Sequence, residues 1–251
     1  MAPVNRPLSV SIERKVFPAV GMRSEIAVLK DINFTVQPGS FVVITGPSGS
    51  GKSTMLNIIA GLDKDYDGKI DLGGSGDNGL TYVFQSPRLL PWRTVYENIA
   101  LALPPGDARL ARIPEILQRV GLTEAASAYP EMMSLGMQRR AALARAFVVE
   151  PEVLLMDEPF VSLDDPTAYS LRELLVELWS RRPTTVLFVT HDRAEAVMLA
   201  TRILRLSTGP ATIVGDIPVS LSVADRLDRE KVRTEQRRIF GEACRNGEAQ
   251  T

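Results

Sequence analysis

The nine residues GPSGSGKST match the phosphate-loop pattern G-x-x-x-x-G-K-[ST] and lie between an apolar run, 41–45, and a helical stretch. Glycines let successive backbone amides turn inward around phosphate oxygens, and the helix that follows adds the partial positive charge of its N-terminus. A chance match in a chain of this length is roughly one in a hundred from average residue usage. We therefore predict that the chain binds a nucleoside triphosphate through Gly46, Pro47, Ser48, Gly49, Ser50, Gly51, Lys52, Ser53 and Thr54.

Two side chains of this loop carry specific chemistry. Lys52 can reach the terminal phosphates, and the hydroxyl of Ser53 can ligate Mg²⁺. The loop therefore predicts a site for a triphosphate together with Mg²⁺.

Polar residues also follow three other apolar runs. In a parallel sheet, ligands bind beyond the carboxyl ends of the strands, so we expect these residues to lie along the same edge as the phosphate loop. The runs and the residues after them are LTYVF (80–84) before Gln85, VLLM (153–156) before Asp157 and Glu158, and TVLFV (185–189) before Thr190 and His191.

These residue types suit the cleavage of a phosphoanhydride. We expect Asp157 to assist Ser53 in holding Mg²⁺, and Glu158 to polarise the attacking water. His191, the single histidine of the chain, can donate a hydrogen bond to charge developing on the γ-phosphate. Gln85 can both ligate the metal and sense the γ-phosphate.

The elements that position these residues predict an α/β fold. The four apolar runs are rich in β-branched and aromatic residues and lack polar alternation, which is typical of strands covered on both faces of a parallel sheet. A helix begun by Asp165-Pro166 carries an apolar face. Residues 1–40 alternate and predict antiparallel strands at one edge, whereas about 88–150 lacks strand signals and predicts an inserted helical subdomain.

Composition limits the function classes. The chain has 251 residues, 45% hydrophobic and 24% charged, with a net charge of −1, which offers no electrostatic basis for binding nucleic acid. Its single cysteine, Cys244, excludes an internal disulfide. No signal-peptide core is present, and no apolar run approaches the roughly 20 residues that span a bilayer. We therefore expect any membrane process to be served from the cytoplasm through a partner.

The stretch MMSLGMQRRAALARA (132–146) leaves two readings open. Ser134 is a plausible N-cap, and Met137, Ala141, Ala144 and Val148 recur on one helical face. The stretch either starts a core helix or uses its free backbone amides to hold a phosphate.

With the phosphate loop, Gln85, Asp157-Glu158, SLDD (162–165) and His191 in this order, the chain resembles the ATP-binding cassette ATPases of ABC transporters from about Leu8 to about Val219. The resemblance implies a P-loop NTPase fold that binds ATP and Mg²⁺, with a nucleotide-binding domain at 1–216 and a charged extension at 217–251. A surface helix is expected there at Val232–Ala243.

In this family, MSLGM takes the place of the signature usually written L-S-G-G-Q. The resemblance then implies a head-to-tail dimer in which Ser134 and Gly136 contact the ATP held by the other subunit. Asp164 would lie at the dimer seam. The second subunit is an identical chain or a different cassette.

The segment SPRLLPWRTVYENIAL (86–101) resembles the nitrate, sulfonate and taurine importer branch. That resemblance implies a transmembrane permease whose coupling helix contacts Leu89, Leu90 and Trp92, and indirectly a solute-binding protein. The chain would then be peripheral at the cytoplasmic face of the membrane. An alternative of equal weight is that Trp92 packs under the helical subdomain.

Two positions depart from the family pattern. Phe17 aligns with the aromatic residue that stacks on adenine, where tyrosine is common. Leu135 replaces the first signature glycine, and Met133 replaces the leading leucine. We hypothesise that Leu135 weakens ATP-driven closure. The backbone cost depends on whether position 135 needs a positive φ.

Other function classes fit less of the sequence. A degenerate or regulatory cassette paired with a different one, or an ABC ATPase of another transport system, is compatible with the motifs. A cassette acting on ribosomes or DNA would usually bring two cassettes or long coiled coils, which are absent. A simple P-loop kinase leaves MSLGM and SLDD without a role.

Overall fold

A computed structural model describes residues 6–18, 25–74 and 79–241. The chain divides into two compact units, one of residues 1–74 with 185–251 and the other of residues 75–184. The elements are β1 Leu8–Phe17, β2 Ile26–Val36, β3 Phe41–Thr45, α1 Lys52–Ile59, β4 Asp67–Asp71, β5 Leu80–Val83, α2 Val95–Ala100, α3 Ile113–Arg119, α4 Leu135–Val148, β6 Val153–Asp157, α5 Asp165–Arg181, β7 Thr185–Val189, α6 Arg193–Leu199, β8 Arg202–Leu206, β9 Ile213–Pro218 and α7 Arg229–Phe240.

The first unit contains a three-stranded antiparallel sheet in the order β2-β1-β4. Alternate residues of β1, namely Leu8, Val10 and Ile12, are buried, as the alternating sequence predicts. The third strand, β4, was not predicted. Its sequence DGKID has almost no apolar residues, and it forms because its backbone pairs with β1.

The same unit contains parallel strands. β3 pairs in parallel with β7 on one side and with β8 on the other, and β9 pairs antiparallel with β8. Every residue of β3 and β7 is buried, which explains their uninterrupted apolar sequences. β8 and β9 were missed, because arginines interrupt RILRL and a glycine and an aspartate interrupt IVGDIP.

The C-terminal helix α7 begins earlier than predicted. Asp228 accepts hydrogen bonds from the backbone N–H groups of Glu230 and Lys231, and this cap starts the helix at Arg229 rather than Val232. Val232 and Ile239 are buried, so one face of α7 is packed. Ala243 and Cys244 lie outside the described residues.

The second unit contains the parallel strands β5 and β6. Helices α2, α3 and α4 occupy the chain between these two strands, and none of residues 88–150 belongs to a strand. Helix α5 is capped by Asp164 and buries the predicted apolar face. That face consists of Leu171, Leu174, Leu175, Leu178 and Trp179.

The fold class predicted from the sequence is confirmed. Mostly parallel, buried strands alternate with helices, and β1, β2 and β4 form a separate antiparallel sheet. Among the described residues, no helix combines the length and the apolar character that a membrane span requires.

Candidate nucleotide site

The phosphate loop connects the end of β3 to the start of α1. Gly49 and Gly51 have φ angles of 76° and 82°, in the left-handed region that favours glycine. A Cβ at Gly51 would lie 2.6 Å from Cγ1 of Val28 and 2.8 Å from Cδ2 of Leu29. The loop therefore needs glycine at position 51 both for its conformation and for its close packing on β2.

Lys52 is the first residue of α1, and its side chain folds back along the loop. Its Nζ donates hydrogen bonds to the carbonyl oxygens of Gly46, at 2.9 Å, and Pro47, at 2.8 Å. The ammonium group is buried, and the first turn of α1 contains no acidic residue. A buried cation beside a helix N-terminus fits the phosphates of a nucleotide.

Two hydroxyl groups of the loop complete this donor set. Ser53 is exposed in the first turn of α1, where its oxygen is of the type that Mg²⁺ prefers. Ser50 is buried, and within the described ranges its hydroxyl makes no hydrogen bond. Mg²⁺ that arrives with a nucleotide needs only one or two protein ligands, so these residues fit a Mg²⁺–triphosphate complex.

His191 leaves the same edge of the first unit as the phosphate loop. Ile44 of β3 pairs with Val189 of β7, and the Thr190 N–H donates to the Ile44 carbonyl at 3.2 Å. Because β3 and β7 run parallel, the residues that follow each strand emerge at one edge. The position of His191 in the first unit agrees with the sequence prediction.

Phe17 ends β1 in the same unit. It pairs with Ile26 of β2, two residues from Val28, whose side chain contacts Gly51 of the loop. The Phe17 side chain is 43% exposed, which is unusual for a phenylalanine and leaves its ring accessible.

The other predicted catalytic residues belong to the second unit. Val83 of β5 pairs with Met156 of β6, so Gln85 and Asp157 follow neighbouring parallel strands. The Tyr82 hydroxyl donates to Oδ2 of Asp157 at 3.5 Å. Burial raises the pKa of the Tyr82 hydroxyl, and the negative charge of Asp157 raises it further, so Tyr82 stays protonated and remains a donor.

The chain is strained directly after Asp157. Glu158 and Ser162 have φ angles of 42° and 65°, values that side-chain-bearing residues rarely adopt. Such strain persists where surrounding structure enforces it, and it clusters at functional sites. Asp164, two residues later, caps α5 by accepting hydrogen bonds from the N–H and the hydroxyl of Thr167, at 3.0 and 2.9 Å.

The signature stretch forms the start of α4. Ser134 is its N-cap and accepts a hydrogen bond from the Met137 N–H at 3.3 Å. Of the predicted face, Ala141, Ala144 and Val148 are buried, whereas Met137 is half-buried. Leu135 is the first helical residue, without positive φ, and is 38% exposed. The backbone cost considered for Leu135 therefore does not arise.

At Gly136, by contrast, an added side chain would meet a close neighbour. A Cβ at this position would lie 2.7 Å from Cγ2 of Thr167, in the first turn of α5. The absence of a side chain at Gly136 therefore lets the start of α4 approach the start of α5 closely.

Two arginines of α4 were missed by the sequence reasoning. Arg139 is buried and donates hydrogen bonds to the carbonyl oxygens of Gln85 and, at 3.5 Å, Val161. Arg145 donates to the carbonyls of Pro87 and Arg88 at 2.7 and 2.8 Å. The signature helix thus holds the backbone that follows Gln85. The sequence signal was the presence of arginines on a helix otherwise rich in alanine.

The segment expected to contact a permease is partly surface. Trp92 is 69% exposed, so the alternative in which it packs under the helical subdomain is wrong. Buried Asn98 holds the backbone beside it, accepting from the Leu90 N–H at 2.7 Å and donating to the Arg93 carbonyl at 3.0 Å.

Comparison with known proteins shows the family of the chain. Residues 29–161, more than half of the chain, match the family model described as ABC transporter. The chain therefore belongs to the ABC transporter family and is an ABC-type ATPase.

Individual proteins of this family are also similar to the chain. An aliphatic sulfonates import ATP-binding protein of Bacillus licheniformis is 42% identical over 219 residues, covering 85% of this chain and 85% of that protein. One from Bacillus subtilis is 38% identical over 240 residues, covering 94% and 93%. A solved dimeric structure of the ATP-binding cassette MJ0796, in a post-hydrolysis state bound to ADP and Pi, is 32% identical with a TM-score of 0.72, covering 86% of this chain and all (100%) of that one.

Proposed function

We propose that this chain is the ATP-hydrolysing subunit of an ABC importer and that it acts at the membrane as one of two cassettes bound to a permease. The observation that carries the proposal is the phosphate loop. Its Lys52 is buried, Gly49 and Gly51 adopt the left-handed conformation, and the first turn of α1 contains no acidic residue. The dimeric cassette among the similar structures supports the doubled assembly.

Within this function, each residue of the site has its own proposed role. The phosphate loop, with Lys52, binds the triphosphate, and Phe17 stacks on adenine. When bound, Mg²⁺ would be held by Ser53 with Gln85 and Asp157 and would supply charge neutralisation on the phosphates. Glu158 acts as the general base toward water, and His191 donates a hydrogen bond to the γ-phosphate.

The second half of each site comes from the partner cassette. Ser134 and Gly136 of one subunit contact the ATP of the other, and Asp164 lies at the seam between the subunits. The N-terminal position of Ser134 on α4, whose first turn lacks acidic residues, supports this assignment.

We further propose aliphatic sulfonates or related small solutes, such as taurine or nitrate, as the imported solutes. The support is the name of the similar proteins from both Bacillus species and the LLPW segment before α2. A solute-binding protein and the permease select the solute. Stimulation of ATPase activity by each solute, in vesicles that contain the permease and binding protein, tests the choice, and stimulation by none of them would reject it.

The catalytic assignment is tested by Glu158→Gln in the assembled transporter. We expect ATP binding to persist and turnover to fall by at least a hundredfold, because loss of a general base costs about 10²–10⁴ in rate. Lys52→Ala should instead weaken ATP binding itself. Lys64→Ala, at an exposed position, is the control. Unchanged turnover in Glu158→Gln would reject its role as base.

A second candidate is a degenerate cassette that pairs with a different one. The observation that favours it is the exposed leucine at position 135, at the start of the signature helix. Its bulk would lie between the two subunits of a closed dimer.

A further inference from the structure

A buried lysine lies against the ring of Phe17, the side chain proposed to stack on adenine. Lys15 is only 2% exposed, and its Nζ donates to Oδ1 of Asp63 at 3.0 Å, to the carbonyl oxygen of Asp65 at 2.5 Å and to Oδ2 of Asp65 at 3.3 Å. Burial lowers the pKa of this ammonium group, but the hydrogen bonds to Asp63 and Asp65 outweigh burial and raise it. Lys15 is therefore a fixed, charged group at neutral pH.

The burial of Lys15 results from irregular strand pairing. Ile12 and Arg14 of β1 pair with consecutive residues of β4, so Glu13 is an extra residue, and the alternation of β1 shifts by one position. A second shift occurs against β2, where Lys15 pairs with Leu29 and Val16 with Ala27. Such bulges redirect side chains, and here the shift turns a lysine inward.

The ammonium group of Lys15 lies over the ring of Phe17, with Nζ 4.8 Å from the ring centroid. A cation at this distance from the face of an aromatic ring is attracted to it. Phe17 remains 43% exposed although one ring face is covered by the ammonium. Part of the ring is therefore accessible to a flat ligand.

The bulge in β2 connects Lys15 and Phe17 to the phosphate loop. Val28 is the extra residue of β2 at the second shift, and its Cγ1 is the atom that a Cβ at Gly51 would meet at 2.6 Å. Phe17 pairs with Ile26, about 7 Å along β2 from Val28 at roughly 3.3 Å per residue. The ring thus lies within the length of a nucleotide from the loop.

We propose that Lys15 is a positioning residue, which holds the Phe17 ring so that its accessible part stacks on the base of the nucleotide bound by the phosphate loop. Phenylalanine has no hydroxyl through which a hydrogen bond could fix the ring. The ammonium of Lys15, itself held by two aspartates, supplies that orientation instead. The inference rests on the proposed role of Phe17 in the ATPase.

Comparison of ATP with inorganic triphosphate, which has no base, tests the proposal. The affinities of both probes for Lys15→Met, Phe17→Ala and the double variant are measured by competition at constant Mg²⁺. We expect each single variant to lose about three- to tenfold in ATP affinity, the range of a partly exposed cation–π contact, and less than twofold in triphosphate affinity. The double variant should be no worse than Phe17→Ala alone.

Two further variants control for folding and charge. Lys15→Arg keeps a cation under the ring and should retain most of the ATP affinity. Lys64→Met removes an exposed lysine between the same two aspartates and should change neither affinity.

The outcomes separate this inference from the proposed function. Loss of ATP affinity in Phe17→Ala but not in Lys15→Met would overturn the role of Lys15 and leave that of Phe17 standing. Equal loss of ATP and triphosphate in Lys15→Met would show that the lysine only supports the fold, and would also overturn it. If Phe17→Ala has no effect on ATP, the base-stacking part of the proposed function itself fails.

Discussion

The close approach of α4 and α5 at Gly136 leads to a quantitative prediction for Gly136→Ala. The added Cβ would lie 2.7 Å from Cγ2 of Thr167, whereas carbon atoms in good contact are about 3.5–4.0 Å apart. The neighbouring helix must therefore move by about 1 Å, and overpacking of this kind costs about 1–3 kcal/mol. Alanine regains at most about 1 kcal/mol of helix propensity over glycine. Subtracting this gain from the overpacking cost leaves an expected net loss of about 0–2 kcal/mol in the free energy of unfolding.

The variant Thr167→Ser is the matched partner for this substitution. It removes the Cγ2 methyl group but keeps the hydroxyl and the N–H that Asp164 accepts from. Gly136→Ala combined with Thr167→Ser should therefore be neutral or slightly stabilising relative to Thr167→Ser alone. The gain in helix propensity is the same in both backgrounds, so the coupling equals the overpacking cost of about 1–3 kcal/mol. Urea unfolding of the wild-type chain, both single variants and the double variant measures this coupling.

Equal destabilisation by Gly136→Ala in the wild-type chain and in the Thr167→Ser variant would refute the steric argument. Turnover of the assembled transporter adds a second readout. If Gly136 also contacts the nucleotide of the partner subunit, the double variant should recover stability without recovering turnover.

Three further predictions concern the signature, a buried arginine and a surface carboxylate. Leu135→Gly should raise turnover of the assembled transporter if the exposed leucine hinders closure of the dimer. An unchanged rate would reject that hypothesis. A wild-type chain that is fully inactive and becomes active with glycine would identify a degenerate site. Arg139→Met should remove the donors to the carbonyls of Gln85 and Val161 and cost about 1–3 kcal/mol in the free energy of unfolding. It should also lower turnover more than ATP affinity. An equal loss of turnover and of ATP affinity would argue against a link to Gln85. Hydrogen bonds from the Arg109 side chain and backbone lower the pKa of Asp107 from 3.8 to about 2, so its stabilising contribution is complete above about pH 5 and is lost as the pH falls toward 2. The difference in urea midpoint between wild type and Asp107→Asn should therefore shrink between pH 5 and pH 3, and a constant difference would contradict the assignment.

Elements whose own sequences show how their side chains are buried were predicted well. β3 and β7 are buried on both faces and so contain apolar residues throughout, and α5 shows its apolar face and its cap directly. β4, β8 and β9 were missed for the opposite reason. Charged or small residues interrupt them, and only pairing with neighbouring strands makes them strands.

The site residues divide in the same way. The phosphate loop was recognised because its chemistry depends on residue types at fixed spacing, which a short sequence pattern displays. Arg139 was missed because it acts through backbone carbonyls of residues distant in sequence, and those contacts leave no local pattern.

The amino-acid sequence alone determined four of the parallel strands (β3, β5, β6 and β7), the order of the polar residues after them and the phosphate loop, because each follows from local spacing and burial. Only the tertiary structure decided which of the two signature positions needs glycine, since that depends on the methyl group of Thr167 across a helix contact. It also decided that Lys15 is buried under Phe17. The bulge at Glu13 reverses the side-chain alternation that the sequence of β1 displays, and a bulge exists only once strands pair.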